Sequence, residues 1–164
     1  MTDLGTLTLE GGTYTIRFER LLAFPPTEVW AALTEPERLR EWLAEATVVP
    51  GPGGSITLDF GADGGTEGGR ITAWEPPRTL AYEWNFVGED PSFVRFELSV
   101  EDAGSATRLV LEHTRLEKAA GTGYGAGWHA HLDQLEGHLR GEPVPWDSRF
   151  DALLPRYEQA LAAG

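Results

Sequence analysis

Gly127–Trp128–His129–Ala130–His131–Leu132 is the densest group of potentially reactive side chains in this sequence. An imidazole changes charge near neutral pH, so it suits both proton transfer and metal ligation. A helix that binds metal through histidine places two of them four residues apart with an acid between. His129 and His131 are only two apart, so a helix sends them to different sides. They read as surface or boundary residues, and neither a metal site nor a cofactor is expected. The chain has no cysteine, which excludes disulfides, thiolate chemistry and cysteine metal sites.

His113 is the stronger polar candidate. It shares strand parity with Leu109 and Leu111, so it points inward, where a polar side chain must find a partner. It is either a satisfied core histidine or a pocket group that orients a ligand or moves a proton. Arg20 interrupts the apolar parity of Tyr14, Ile16, Phe18 and Leu22. It is either a strand-end arginine paired with a surface acid or an anchor at a cavity mouth for a carboxylate or carbonyl. Trp30, Trp42, Phe60, Tyr82, Trp84, Phe96 and Trp128 form either a packed core or the walls of an apolar pocket, with His113, Tyr82 and Tyr124 as its polar groups. The glycine run 61–69 lacks the lysine and hydroxyl of a phosphate loop. No GxGxxG, GxSxG or HExxH occurs, so no catalytic residue is assigned.

These residues need a scaffold, and the periodicity supplies one. Residues 13–22 alternate as a strand, and Pro25–Pro26 leads into a short helix bearing Val29, Trp30 and Leu33. Thr34, Pro36 and Glu37 read as the capped start of a second short helix with Leu39, Trp42 and Leu43 on its apolar face. Alternating segments follow from Val48: 56–60, 69–74, 80–86, 94–100 and 109–113, separated by glycine, proline and aspartate turns. Their clean faces predict an antiparallel sheet buried on one side. Residues 116–127, rich in glycine and alanine, read as a loop. Trp128, Leu132, Leu135 and Leu139 then recur at helical spacing, with Asp133, Glu136 and Arg140 off the stripe and Gly141 as terminator. Trp146, Phe150, Leu153, Leu154, Tyr157 and Leu161 suggest a last helix.

With 164 residues the chain reads as one domain, 1–164, with a core over 10–141 and a helical extension over 142–164. The net charge of −13 argues against nucleic acid and anionic membranes and favours neutral or cationic partners. No apolar stretch approaches 18 residues, and the N-terminus lacks the pattern of a signal peptide, so a cytoplasmic location is expected.

Four stretches together resemble the START-like, helix-grip superfamily, and within it the proteins related to the activator of the Hsp90 ATPase. They are 23–43, with Pro25, Val29–Trp30, Leu33–Thr34, Pro36, Leu39 and Trp42; Gly68–Gly69 and Ile71 with 75–80; 107–113; and Gly127–Trp128 with Leu132, Leu135 and Leu139. The resemblance implies an α+β fold of the Bet v 1 type: a curved antiparallel sheet wrapped around a long C-terminal helix, two short helices after the first strand, and a cavity between sheet and helix. Members bind lipids, hormones or polyketides, and some act as aromatases or cyclases. Co-chaperone activity in the family uses an additional domain for chaperone contact, and none is expected here.

The expected function is the binding of a small apolar molecule by Arg20, Phe60, Tyr82, Trp84, Phe96, His113, Trp128 and Leu132. One alternative is a cyclase, dehydratase or hydrolase using His113 as acid or base. Another is a protein-interaction role, co-chaperone-like or beside a regulator, with residues 142–164 either docked back on the domain or joining two copies as a homodimer.

Overall fold

The computed structural model describes residues 4–61, 65–86, 88–142 and 144–163, with the side chains of 118–122, 147–148 and 161–163 left aside. Eight strands run β1 (Thr6–Glu10), β2 (Thr13–Leu22), β3 (Glu45–Val49), β4 (Ser55–Asp59), β5 (Thr66–Glu75), β6 (Thr79–Trp84), β7 (Ser92–Glu101) and β8 (Ala106–Leu116). They form one antiparallel sheet in the order β1-β2-β8-β7-β6-β5-β4-β3. Two short helices, α1 (Pro26–Thr34) and α2 (Pro36–Trp42), follow β2, and the long α3 (Lys118–Arg140) and α4 (Trp146–Ala163) close the chain. This is the α+β helix-grip arrangement that the family resemblance implies, and the alternating segments account for its antiparallel sheet.

One register row shows how alternation builds the core. His113 of β8 pairs with Ile16 of β2 and Val94 of β7, and Val94 pairs with Tyr82 of β6. All four are buried on the same face, since side chains opposite one another in a sheet share a side. α3 covers that face with the stripe Trp128, Leu132 and Leu135, Trp128 reaching His113 itself.

Several elements differ from the sequence reading. The alternation predicts a first strand at 13–22, yet Thr6–Glu10 precedes it and adds an edge strand to β2. The segment 116–127 is not a loop, because α3 begins at Lys118. Glycine disfavours helix by about 1 kcal/mol each, but packing against the sheet and α4 outweighs that. Gly125 is required there: a Cβ would lie 2.6 Å from the Tyr157 ring. Thr34 does not cap α2. Its Oγ1 donates to the Trp30 carbonyl inside α1 (2.8 Å), and Glu35, held extended by the following proline, takes the N-cap position. Gly141 ends α3 in the left-handed conformation, φ 73°, as expected.

The extension 142–164 docks on α3. Leu153 and Tyr157 of α4 are fully buried, the Tyr157 hydroxyl accepts from the Gly5 N–H (2.7 Å), and it meets His129 Nδ1 at 2.8 Å. Arg149 of α4 lies 3.0 Å from Asp133 of α3. His129 and Asp133 are therefore interior residues, not boundary or solvent-facing ones, because α4 covers the side of α3 that a lone closing helix would expose. Leu161 of the predicted tail face and residues 62–64 of the glycine run lie outside the described residues.

Candidate functional site

A cavity of about 340 Å³ lies between α3, α4 and the β4–β6 part of the sheet. Trp84 of β6 forms its floor and Trp128 of α3 one wall, their ring centroids 5.3 Å apart. Phe60 follows β4 and faces Trp84 at 6.1 Å. Trp146 and Phe150 of α4, stacked at 4.8 Å, form the far side with Leu43. The cavity continues into a wider space of about 660 Å³ that shares Leu43, Phe60, Glu67, His131 and Trp146 and reaches Arg40, Glu41 and Asp59.

Glycine makes this room. Gly123 and Gly127 line the cavity from α3, four residues apart and thus on one helix face. A Cβ at either position would meet nothing within 4 Å.

The polar groups are few. Glu67 of β5 pairs with the buried Leu58 of β4, so its side chain faces inward. Burial, and then the nearby Glu89 carboxylate, push the Glu67 carboxyl up to about 7, while the Tyr124 hydroxyl and Trp84 indole pull it partly back. Tyr124 Oη donates to Glu89 (2.7 Å) and accepts from Trp84 Nε1 (3.2 Å). Burial raises the Tyr124 hydroxyl well above its ordinary value, so it stays protonated. His131 Nδ1 lies 3.0 Å from the Trp42 carbonyl and 3.2 Å from Gln134 Oε1. Facing two acceptors, Nδ1 must carry the proton, leaving Nε2 as an acceptor without a partner among the described residues. Burial lowers His131 to about 4.

His113 lies behind this wall. Trp128 Nε1 donates to His113 Nδ1 (2.9 Å), and an indole N–H can only donate, so Nδ1 holds a lone pair. His113 Nε2 lies 2.8 Å from Ser92 Oγ, which in turn donates to the Trp84 carbonyl at 3.1 Å. The ring is therefore the neutral Nε2–H tautomer with both nitrogens occupied. Burial lowers its pKa to about 3, and it has no solvent exposure. The acid–base reading of His113 fails on this geometry, since it has neither a free lone pair nor access to the cavity. Its role is to fix the Trp128 indole.

Of the other expected residues, Phe60, Trp84 and Trp128 line the cavity. Tyr82 and Phe96 lie behind Trp84 as a stack of rings at 6.3 and 6.5 Å, and Leu132 sits in the core; none of the three lines the cavity. Arg20 is buried on the inner face with its guanidinium 5.4 Å from the Phe18 ring and Nη1 on the Glu19 carbonyl (3.2 Å). It is on β2, away from the cavity lining, so it is not a cavity-mouth anchor. Glu67, Glu89, His131, Leu43, Trp146 and Phe150 were missed. Two had a signal in the sequence: Glu67 shares parity with Gly69 and Ile71, and His131 lies three residues after Trp128, on the same helix face. Among the described residues no group of acids and histidines could hold a metal, and no helix is long and apolar enough to cross a membrane.

The model of the family described as "Activator of Hsp90 ATPase homolog 1-like protein" matches residues 23–140. The crystal structure of CalU16 from Micromonospora echinospora is similar at a TM-score of 0.77 and 31% identity, covering 92% of this chain and 88% of that one. A solution structure from Bordetella parapertussis is 35% identical at a TM-score of 0.72, covering 96% and 90%. DynU16, from the dynemicin biosynthetic locus, is 26% identical at a TM-score of 0.70 over 79% of this chain and 48% of that one. No curated protein matches.

Proposed function

Since the chain belongs to the Activator of Hsp90 ATPase homolog 1-like family, within the START-like helix-grip superfamily, we propose that it binds a small, largely apolar molecule in the cavity between its sheet and α3. The observation that carries this reading is the 340 Å³ space itself, walled by five aromatic side chains besides Tyr124 and held open by two glycines. The space opens to solvent, and rings lining a water-filled cleft gain hydrophobic and dispersion contacts when a ligand displaces that water. The neighbour from a biosynthetic locus is compatible with a small-molecule ligand.

The protein-interaction reading has less beneath it. The large apolar side chains that are strongly exposed, Leu9, Leu21, Val49 and Val100, sit on four different strands. Scattered single residues of this kind are ordinary surface.

The reading is tested with a neutral naphthyl alcohol, 2-(1-naphthyl)ethanol, followed by quenching of tryptophan emission. Saturable quenching at one molecule per chain, lost in a variant with Gly127 replaced by leucine, is expected. Absence of saturable binding at the solubility limit of the alcohol contradicts it.

A further inference from the structure

The hydrogen-bonding capacity left open in the cavity is one-sided. Trp84 Nε1 is engaged by Tyr124 Oη and the Glu67 carboxyl, and Trp128 Nε1 by His113. The Tyr124 O–H is spent on Glu89, and His131 Nδ1–H on the Trp42 carbonyl. The Trp146 indole N–H has no partner among the described residues, but it is sealed from the cavity as well as from solvent. Among the described residues no lysine or arginine lines the cavity; Arg40 borders only the wider outer space. Among the described residues, what remains for a guest is acceptor capacity: the Glu67 carboxyl, which Tyr124 and Trp84 approach from one side, the Glu89 carboxylate and His131 Nε2.

A guest bearing a carboxylate, phosphate or ketone would give up its hydration for a wall of acceptors, and an unreplaced hydrogen bond of that kind is costly. A guest bearing N–H donors meets the opposite case. The aromatic rings add to this, because their faces carry the negative end of the ring quadrupole and attract cations. Glu67 and Glu89 repel one another across the cavity edge, and a positive charge between them removes that repulsion. A protonated Glu67 could supply one donor, but the Tyr124 hydroxyl and Trp84 indole both favour its charged form.

We infer that the molecule taken by this cavity is an amine, an apolar body against Trp84, Trp128 and Phe60 with its protonated nitrogen at the Glu67–Glu89 end. This rests on the binding reading above and specifies the class of ligand.

Three probes with the same ring body separate the two claims: 2-(1-naphthyl)ethylamine, 2-(1-naphthyl)ethanol and 1-naphthylacetate, titrated calorimetrically at pH 8. The amine is expected to bind roughly tenfold or more tightly than the alcohol, a difference of about 1.4 kcal/mol, with the acetate weakest. In Glu89→Gln, where the carboxylate is exposed and folding is not at stake, the amine-to-alcohol ratio drops to about threefold or less, and it falls further in Glu67→Gln. An alcohol that binds as tightly as the amine, or an acetate that binds more tightly, overturns the amine inference and leaves the binding reading standing. A ratio unchanged in both variants also overturns it. If no probe binds, the binding reading itself fails, and the amine inference with it.

Discussion

Replacing Gly127 by leucine should stabilise the fold and abolish the proposed binding together. The position lies inside α3, where glycine costs about 0.8–1 kcal/mol relative to good helix formers. A Cβ there meets nothing within 4 Å, so no packing penalty offsets the helical gain. The expected change is about +1 kcal/mol, or roughly 2–4 °C in Tm for a chain of this size. Helical side chains lean toward the N-terminus, so the new side chain extends over Tyr124 and the equally open Gly123, into the cavity. Four carbons then occupy space a ligand would use. At about 0.8 kcal/mol per buried carbon this costs about 3 kcal/mol, roughly a hundredfold in affinity. Thermal melting by circular dichroism and calorimetric titration with 2-(1-naphthyl)ethylamine measure both halves. A Tm lowered by several degrees shows that the space is already filled, and unchanged affinity shows that the ligand lies elsewhere; either refutes the reasoning. Gly125→Ala, two residues away, is the control of opposite sign: its Cβ would lie 2.6 Å from the Tyr157 ring, an overpacking that costs about 1–3 kcal/mol.

Trp128→Phe removes the indole donor to His113 Nδ1 and should cost about 1–3 kcal/mol in chemical denaturation, with NMR of His113 showing the Nε2–H tautomer in wild type and a disturbed ring in the variant. Acidification from pH 6.5 should destabilise the protein, because His113 and His131 have folded pKa values of about 3 and 4, so the unfolded chain binds more protons and stability is lost as pH falls. Glu67 opposes this between about 7 and its ordinary 4.5, where the folded state holds the proton under the influence of burial and Glu89; Glu67→Gln should therefore lose stability more steeply over that range in a pH series of melts. Arg149→Ala removes the ion pair between α4 and Asp133 and should cost about 1 kcal/mol, because Arg149 is partly exposed and Asp133 keeps His129 at 3.8 Å, with α4 and the cavity residues Trp146 and Phe150 the first to lose hydrogen-exchange protection.

The framework was legible where one physical signal dominated. Alternation marked β2, β6, β7 and β8 because each has one buried face, and Pro26 and Pro36 announced α1 and α2 because proline suits a first helical turn. The first ten residues of α3 were hidden because glycine and alanine give no hydrophobic stripe, yet those same glycines admit Tyr157 and open the cavity. The site was half legible. Aromatic parity pointed to Phe60 and Trp84, and helical spacing to Trp128. Alternation cannot separate a ring that lines a void from one packed behind it, such as Tyr82 or Phe96, because both face the same way. His113 drew attention as a polar residue on an apolar face, which is correct for burial but silent about its two partners. The acids were obscured differently: Glu67 sat in a glycine-rich stretch and Glu89 in a turn. Tyr124, arriving from α3, hydrogen-bonds the Glu89 carboxylate and influences Glu67.

The most direct test of the central claim is a crystal structure of the protein with 2-(1-naphthyl)ethylamine. The naphthyl group should lie between Trp84 and Trp128 with Phe60 at its edge, and its nitrogen within hydrogen-bonding distance of Glu67 or Glu89. A cavity closed by Trp146 and Phe150, with the probe on the surface or nowhere, would contradict it.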